Sequence, residues 1–170
     1  MAFVAFGLGA FPLQTLQTAI GQAASKKAGI ELGSSEQSEL LKLNGVDKPL
    51  AERLINEDIS SIVQLAYCDP VQLTMRTNLS FNGVVDLVSQ ALAWIYLEDK
   101  LSLIRSIGFR GAYEIRDYRD GLLTGDDKER LEKLRPIIIE RLGMPGEAVD
   151  YVFWQIANDP YTTFICETWS

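Results

Sequence analysis

Apolar residues recur at steps of three and four along most of this chain, and that spacing constrains the fold more than any other feature of the sequence. A clear instance is the run from Val84 to Ile104, in which apolar positions follow one another at helical intervals. No long stretch alternates apolar and polar residues with the period of two that a half-buried strand shows. We therefore predict an all-α fold, an orthogonal multi-helix domain of about ten short helical segments.

Helix start and stop signals divide this pattern into segments. Asp69-Pro70 and Asp159-Pro160 each place an N-cap residue before a proline that suits the first helical turn. Asn82 is the predicted cap of the long helix that contains Val84. Pro136 falls inside a helical run that ends at Gly143, so we expect a break or a kink at the proline.

The chain is long enough for one domain with an appendage, at 170 residues. Residues 29–35 contain two glycines and two serines and are typical of a linker. We accordingly divide the chain into an apolar N-terminal arm (1–30), a helical core (36–120) and C-terminal helices (121–170) that pack on the same domain.

The N-terminal arm is apolar and carries no charged side chain before Lys26 and Lys27. Its apolar part, 2–13, is shorter than the ~20 residues that span a bilayer. Two interpretations remain open. The arm is a buried first helix broken near Pro12, or it is the end of the last membrane helix of a longer bacterial protein, with the two lysines as its positive cytoplasmic flank. In both cases its contact residues would be Phe3, Phe6 and Phe11, and residues 1–13 are the predicted site of any membrane contact.

Residue usage argues against catalysis and metal binding. The chain has no histidine, which removes the commonest general base and the commonest metal ligand. Its two cysteines, Cys68 and Cys166, lie far apart, and we interpret them as buried structural thiols in a reducing, cytoplasmic compartment. No phosphate-binding or metal-binding motif is present. We predict that the protein is not an enzyme and has no cofactor and no metal.

Charged residues give no sign of a polyanionic partner. The formal net charge is −7, which opposes a chain-wide attraction to phosphate backbones or anionic lipids. Four arginines cluster in sequence, but acidic residues interleave with them, and the pattern favours a solvated face of mixed charge. They are Arg105, Arg110, Arg116 and Arg119.

One segment, Leu40 to Ala93, carries a recognisable order of short motifs. Leu-x-x-Leu is followed by a glycine and a hydrophobic residue, then by Ala-x-x-Leu, then by a small turn with isoleucine and serine, and then by Leu-Ala. These slots are filled by Leu40, Leu43, Gly45, Val46, Ala51, Leu54, Ile59, Ser61, Leu65 and Ala66. The segment resembles the helix-hairpin-helix family, which includes the C-terminal domain of the bacterial RNA polymerase α subunit and domains of transcription elongation factors.

The resemblance implies two tandem hairpins. The glycine of each hairpin would let two backbones approach, and small or apolar neighbours would bury the crossing. The structural residues it implies are Gly45, Val46, Ala51, Ile59 and Gly83. Members that bind DNA hold phosphate with backbone N–H groups of the hairpin and the next helix. Asp47 occupies the position of a second hairpin glycine, so we expect no nucleic-acid partner and keep a nucleic-acid-binding module as the alternative.

A weak echo of the first turn occurs later in the chain. Residues 58–65 align with 108–115, so that Ile59 pairs with Phe109 and Leu65 with Ile115. This is either a third, degenerate unit of the same kind or a coincidence between two stretches of eight residues.

Aromatic residues are dense at the C-terminus, where they would be either core or a partner surface. We select Trp154, Phe164 and Trp169 as contact residues. The predicted function is therefore a non-catalytic interaction and assembly domain in the cytoplasm, at the inner face of a membrane. Its partner would be another protein or a second copy of the chain.

Overall fold

The computed structural model describes residues 39–125 and 128–169, and all regular structure among them is helical. This confirms the all-α fold. The helices are α1 (Lys48–Asn56), α2 (Ile62–Ala66), α3 (Pro70–Thr77), α4 (Phe81–Leu97), α5 (Leu101–Ile104), α6 (Ala112–Thr124), α7 (Lys128–Leu142), α8 (Gly146–Ala157) and α9 (Pro160–Trp169). Single 3-10 turns, Glu98–Lys100 and Arg105–Ile107, flank α5.

Most of the predicted start signals act as helix caps. Asp69 accepts hydrogen bonds from the N–H groups of Val71 and Gln72 at the start of α3. Asp159 does the same for α9. Ser61 caps α2, because its hydroxyl accepts from the Gln64 N–H at 3.2 Å. These short-range bonds satisfy N–H groups that have no partner inside the helix.

The predicted cap of α4 is wrong. The N-cap is Ser80, whose hydroxyl accepts the Gly83 N–H at 3.2 Å, and Asn82 lies exposed in the first turn. The position of this cap is set by the residue at which α3 ends. Asn78 adopts a left-handed conformation, with φ of 54°, and ends α3, so the chain becomes extended at Ser80 and not at Asn82.

Of the break or kink predicted at Pro136, the break is wrong, since α7 continues through the proline. A proline inside a helix removes one hydrogen bond and costs about 3 kcal/mol. Ile138 and Leu142, which follow it, are 1% and 3% exposed. Burial of these two side chains offsets the cost and keeps the last turns helical.

The central element is α4, which packs against α2, α3, α6, α8 and α9. Every residue from Leu87 to Ala93 is buried. A helix that is buried on all faces belongs to the interior of a domain. Its one fully buried polar side chain, Gln90, accepts the N–H of Asn44 at 2.9 Å and donates to the carbonyl of the same residue at 3.1 Å.

The two echoing segments have the same conformation. Asp58 and Gly108 both adopt positive φ, 63° and 105°. The next residue of each, Ile59 or Phe109, is buried and donates its N–H back to the preceding helix. Gln64 and Glu114 then return a side-chain oxygen to the backbone N–H at the helix start. The turn after α1 is thus repeated after α5, fifty positions along the chain.

The repeat extends to helix packing. The most extensive contacts in the described chain are those of α2 with α4 and of α6 with α8. In both cases the helix that follows the repeated turn packs on the helix two places further along the chain, α2 on α4 and α6 on α8. This agreement favours a repeated unit over coincidence.

The other predictions about domain organisation fall only partly on residues that the structure describes. The boundary at residue 120 lies inside α6. The arm, with Phe3, Phe6 and Phe11, lies outside the described residues, as do the linker and the side chain of Trp169. Within 39–125 and 128–169, no helix combines the length and the apolar character needed to cross a membrane.

Candidate interaction surface

Gly45 has a conformational role and no packing role. Its φ of +87° is left-handed, yet a β-carbon built there would meet no atom within 4 Å. The expected close approach of two backbones at Gly45 is therefore wrong, and the requirement for glycine comes from φ. Val46 and Ala51, its predicted companions, are 8% and 0% exposed and belong to the core.

The structure brings Gly45 and Gly83 together, at the edge of one cavity of about 210 Å³. Asp86 and Arg110 line the same cavity and form an ion pair at 2.7 Å. Asp86 also accepts from Gln90 at 2.8 Å. Both hairpins thus converge on one polar network of α4.

The helix N-termini at these hairpins are satisfied by their own side chains. Asp47 accepts the Leu50 N–H at 2.9 Å at the start of α1. Ser80 plays the same part for α4. A carboxylate at the N-terminus of α1 occupies the position in which a phosphate would be held, and it repels one.

Gly111 is a structural residue that sequence reasoning missed. Its ideal β-carbon would lie 2.7 Å from the Ser89 carbonyl carbon and 2.8 Å from the Gln90 nitrogen. Next to it, the Tyr113 N–H donates to the Ser89 hydroxyl at 3.0 Å. The start of α6 therefore rests directly on the backbone of α4, which only glycine permits. The signal in the sequence was weak, a glycine three residues before a glutamate.

Aromatic residues near the C-terminus divide between core and surface. Phe153 is 2% exposed and packs against Phe109 and Tyr118, with ring centroids 5.6 and 6.0 Å away. Trp154 is 48% exposed, and Phe164 is 46% exposed and lies against Tyr161. Two of the three predicted contact residues are thus at the surface.

An exposed pair of aromatic side chains lies on α8. Tyr151, which the sequence did not single out, is 59% exposed and stacks on Trp154 with centroids 6.1 Å apart and rings 19° from parallel. The signal was the helical spacing of three residues between them. We call Tyr151 and Trp154 the α8 aromatic pair.

Asp159 is the one buried carboxylate of the described chain, at 7% exposure. Its Oδ2 accepts from the hydroxyls of Tyr96 at 2.8 Å and Tyr67 at 3.4 Å. Its Oδ1 accepts the N–H groups of Tyr161 and Thr162. Burial and the nearby carboxylate raise the pKa of both Tyr67 and Tyr96. This cluster fixes the start of α9 to α2 and α4.

The cysteines are poorly suited to nucleophilic chemistry. Burial raises the pKa of the Cys68 thiol to about 12, and it also raises the pKa of Cys166. The thiolate is the reactive form, so both side chains are held as inert thiols at neutral pH. Among the described residues, no three acidic, histidine or cysteine side chains are grouped so that they could hold a metal ion.

Comparison with protein-family models, curated proteins and solved structures finds no match.

Proposed function

We propose that this protein is a non-catalytic helical interaction domain that associates through the α8 aromatic pair. The observation that carries the proposal is the exposed stack of Tyr151 on Trp154. Tyrosine and tryptophan are the residues whose truncation most often weakens a protein interface. Leaving them in water also costs free energy, at about 25 cal/mol per Å² of apolar surface.

The surroundings of the pair suit an interface. Asp150 precedes Tyr151 and forms a two-pronged ion pair with Arg135, at 3.1 Å to Nε and 2.7 Å to Nη2. Both side chains are about half exposed, and the ion pair gives the aromatic stack a charged neighbour on α7. Interfaces commonly have such an aromatic centre with a polar rim.

The apolar arm supports a location at the cytoplasmic face of a membrane. Residues 2–13 are uncharged and largely apolar, and the first positive charges that follow them in the sequence are Lys26 and Lys27. In this proposal the arm reaches the membrane while the helical domain makes the protein contact. The first occupant to test is a second copy of the chain.

The test is sedimentation velocity of the full chain over a wide concentration range. We expect reversible self-association that is lost in the double variant Tyr151→Ser, Trp154→Ser. Met75→Ser is the control, because Met75 is also a large hydrophobic side chain at the surface, 80% exposed, and it lies on a different helix, α3. A wild-type chain that stays monomeric, or a double variant that associates like the control, would contradict self-association through α8.

The alternative function is nucleic-acid binding by the hairpins. The observation that favours it is the left-handed φ of Gly45 before α1, at the glycine position of the hairpin that the sequence resembles. Against it stand the capping Asp47 and the net charge. Titration with duplex DNA at physiological salt tests it. Affinity tighter than the non-specific range of roughly 10⁻⁴ to 10⁻⁶ M would make this alternative the leading proposal.

A further inference from the structure

A cavity of about 360 Å³ opens between α6, α7 and α8, away from the hairpins. The core supplies the apolar part of its walls, since Tyr118, Ile138, Val149 and Phe153 are all buried. Leu123, which is 75% exposed, extends the apolar surface at the rim. The volume lies within the range of roughly 300 to 1,000 Å³ that small-molecule sites have.

Among the described residues that line the cavity, one cation has no carboxylate partner. Arg135 is paired with Asp150 at 2.7 Å, and Lys128 lies 3.9 Å from Glu132. Arg119 also lines the cavity, and it forms no ion pair with any described residue.

The guanidinium of Arg119 also lacks an acceptor. Its Nη1 is shielded from solvent and has no hydrogen-bond partner among the described residues. A guanidinium N–H that is out of water and unpaired is costly, and a bound anion would relieve that cost. The Arg119 side chain therefore has no committed acceptor, and an acidic ligand would reach it from the cavity that it lines.

We propose that this cavity binds a small apolar carboxylic acid, such as a medium-chain fatty acid. Its carboxylate would pair with Arg119, because the planar guanidinium matches a carboxylate in two parallel hydrogen bonds. Its hydrocarbon chain would lie against Ile138, Val149 and Phe153. A dianionic phosphate fits less well, because Glu132 and Asp150 at the rim would repel its second charge.

The test is isothermal titration calorimetry of the full chain with decanoate below its micellar concentration. We expect saturable binding with one ligand per chain and a higher melting temperature. 1-Decanol has the same chain without the charge and should bind at least about tenfold more weakly. No saturable binding of decanoate, or equal binding of decanol, would overturn the proposal.

Variants locate the site. Arg119→Leu should weaken decanoate binding at least about tenfold and leave decanol binding unchanged. Arg130→Leu is the matched control, since Arg130 is exposed on α7 and does not line the cavity. If Arg119→Leu does not fold, Leu123→Glu replaces it, because an exposed rim position tolerates substitution and the new charge repels decanoate. If Arg119→Leu, or Leu123→Glu in its place, leaves the decanoate affinity unchanged, decanoate binds to another part of the chain and the proposal is overturned.

Discussion

Gly111 lies so close to Ser89 that a β-carbon at position 111 would come within 2.7 Å of the Ser89 carbonyl carbon. The atom it would meet is backbone of the central helix, which cannot move aside without disturbing the whole core. We expect Gly111→Ala to lower the free energy of unfolding by several kcal/mol, a large effect for one methyl group. Urea denaturation measures it.

Gly146→Ala is the control for that experiment. There the nearest atoms belong to the side chains of Arg135 and Ile139, at 2.9 and 3.1 Å, and the arginine is exposed and able to move. Alanine also suits the first turn of α8 better than glycine. We expect a change within about 1 kcal/mol of zero. Equal losses at the two glycines would mean that the contact with α4 is not the cause.

Gly45 differs from Gly111, because its backbone conformation requires glycine while the space around it would accept a side chain. A side chain at a left-handed position costs about 1 to 2 kcal/mol, and asparagine tolerates that conformation better than a β-branched residue does. Gly45→Val should therefore destabilise more than Gly45→Asn. Equilibrium denaturation of both variants tests the order, and equal losses would point to a steric cause instead.

The features that the sequence predicted correctly are those that depend on residues close together in the chain. The caps at Asp69 and Asp159 depend on residues two or three positions away, so a short motif contains nearly all the relevant physics. The all-α fold follows equally from the repeated spacing of apolar residues. Ser80 and Asn82 are both good caps, and the choice between them depended on where Asn78 ended the previous helix.

What the sequence could not predict is long-range. The contact of Gly111 with α4 joins residues on two different helices, and the pattern around the glycine says nothing of its neighbour. Continuation of α7 through Pro136 depends on burial of Ile138 by other elements. The cavity around Arg119 requires three helices to be placed first, so a list of arginines along the chain predicted only a solvated face.

Asp159 should contribute much more to stability than an ordinary helix cap. Its removal leaves two tyrosine hydroxyls and two backbone N–H groups without their acceptor in a partly buried site. We expect Asp159→Ala to cost about 2 to 4 kcal/mol. Asp69→Ala, the same motif at an exposed position, should cost about 1 kcal/mol. Urea denaturation of the two variants compares them, and similar losses would show that the tyrosine contacts add nothing.

Alkaline pH should destabilise the fold through the same region. Burial raises the pKa of Cys68 and of Tyr161 to about 12, and it raises the pKa of Tyr67. A group whose pKa is higher in the folded state stabilises fully below its unfolded value and loses that contribution as pH rises toward the folded value. Stability should therefore hold to about pH 9 and fall between about pH 9 and 12.

Thermal melts across that pH range, followed by circular dichroism, measure the decline. Tyr161→Phe removes one of the titrating groups and should make the decline shallower between about pH 10 and 12. Tyr151→Phe is the matched control, since Tyr151 is an exposed tyrosine outside this region. A melting temperature that stays level to pH 12 would contradict the raised pKa of Cys68 and Tyr161 in the folded state.

The N-terminal arm offers the sharpest division between the two interpretations of the sequence. Residues 2–13 include Phe3, Phe6 and Phe11 and no charged side chain, so in water they must be covered by protein or by lipid. If the arm belongs to a membrane segment, deleting residues 1–27 should leave the melting temperature of the helical domain nearly unchanged and abolish binding to lipid vesicles. If the arm is a core helix, the deletion should cost several kcal/mol, because it would expose the apolar surface that the arm covers.

The deletion variant with Tyr151→Ser and Trp154→Ser separates the arm from the α8 aromatic pair as a cause of self-association. Association that disappears on deletion of the arm alone, with the pair intact, would assign assembly to the arm and not to α8.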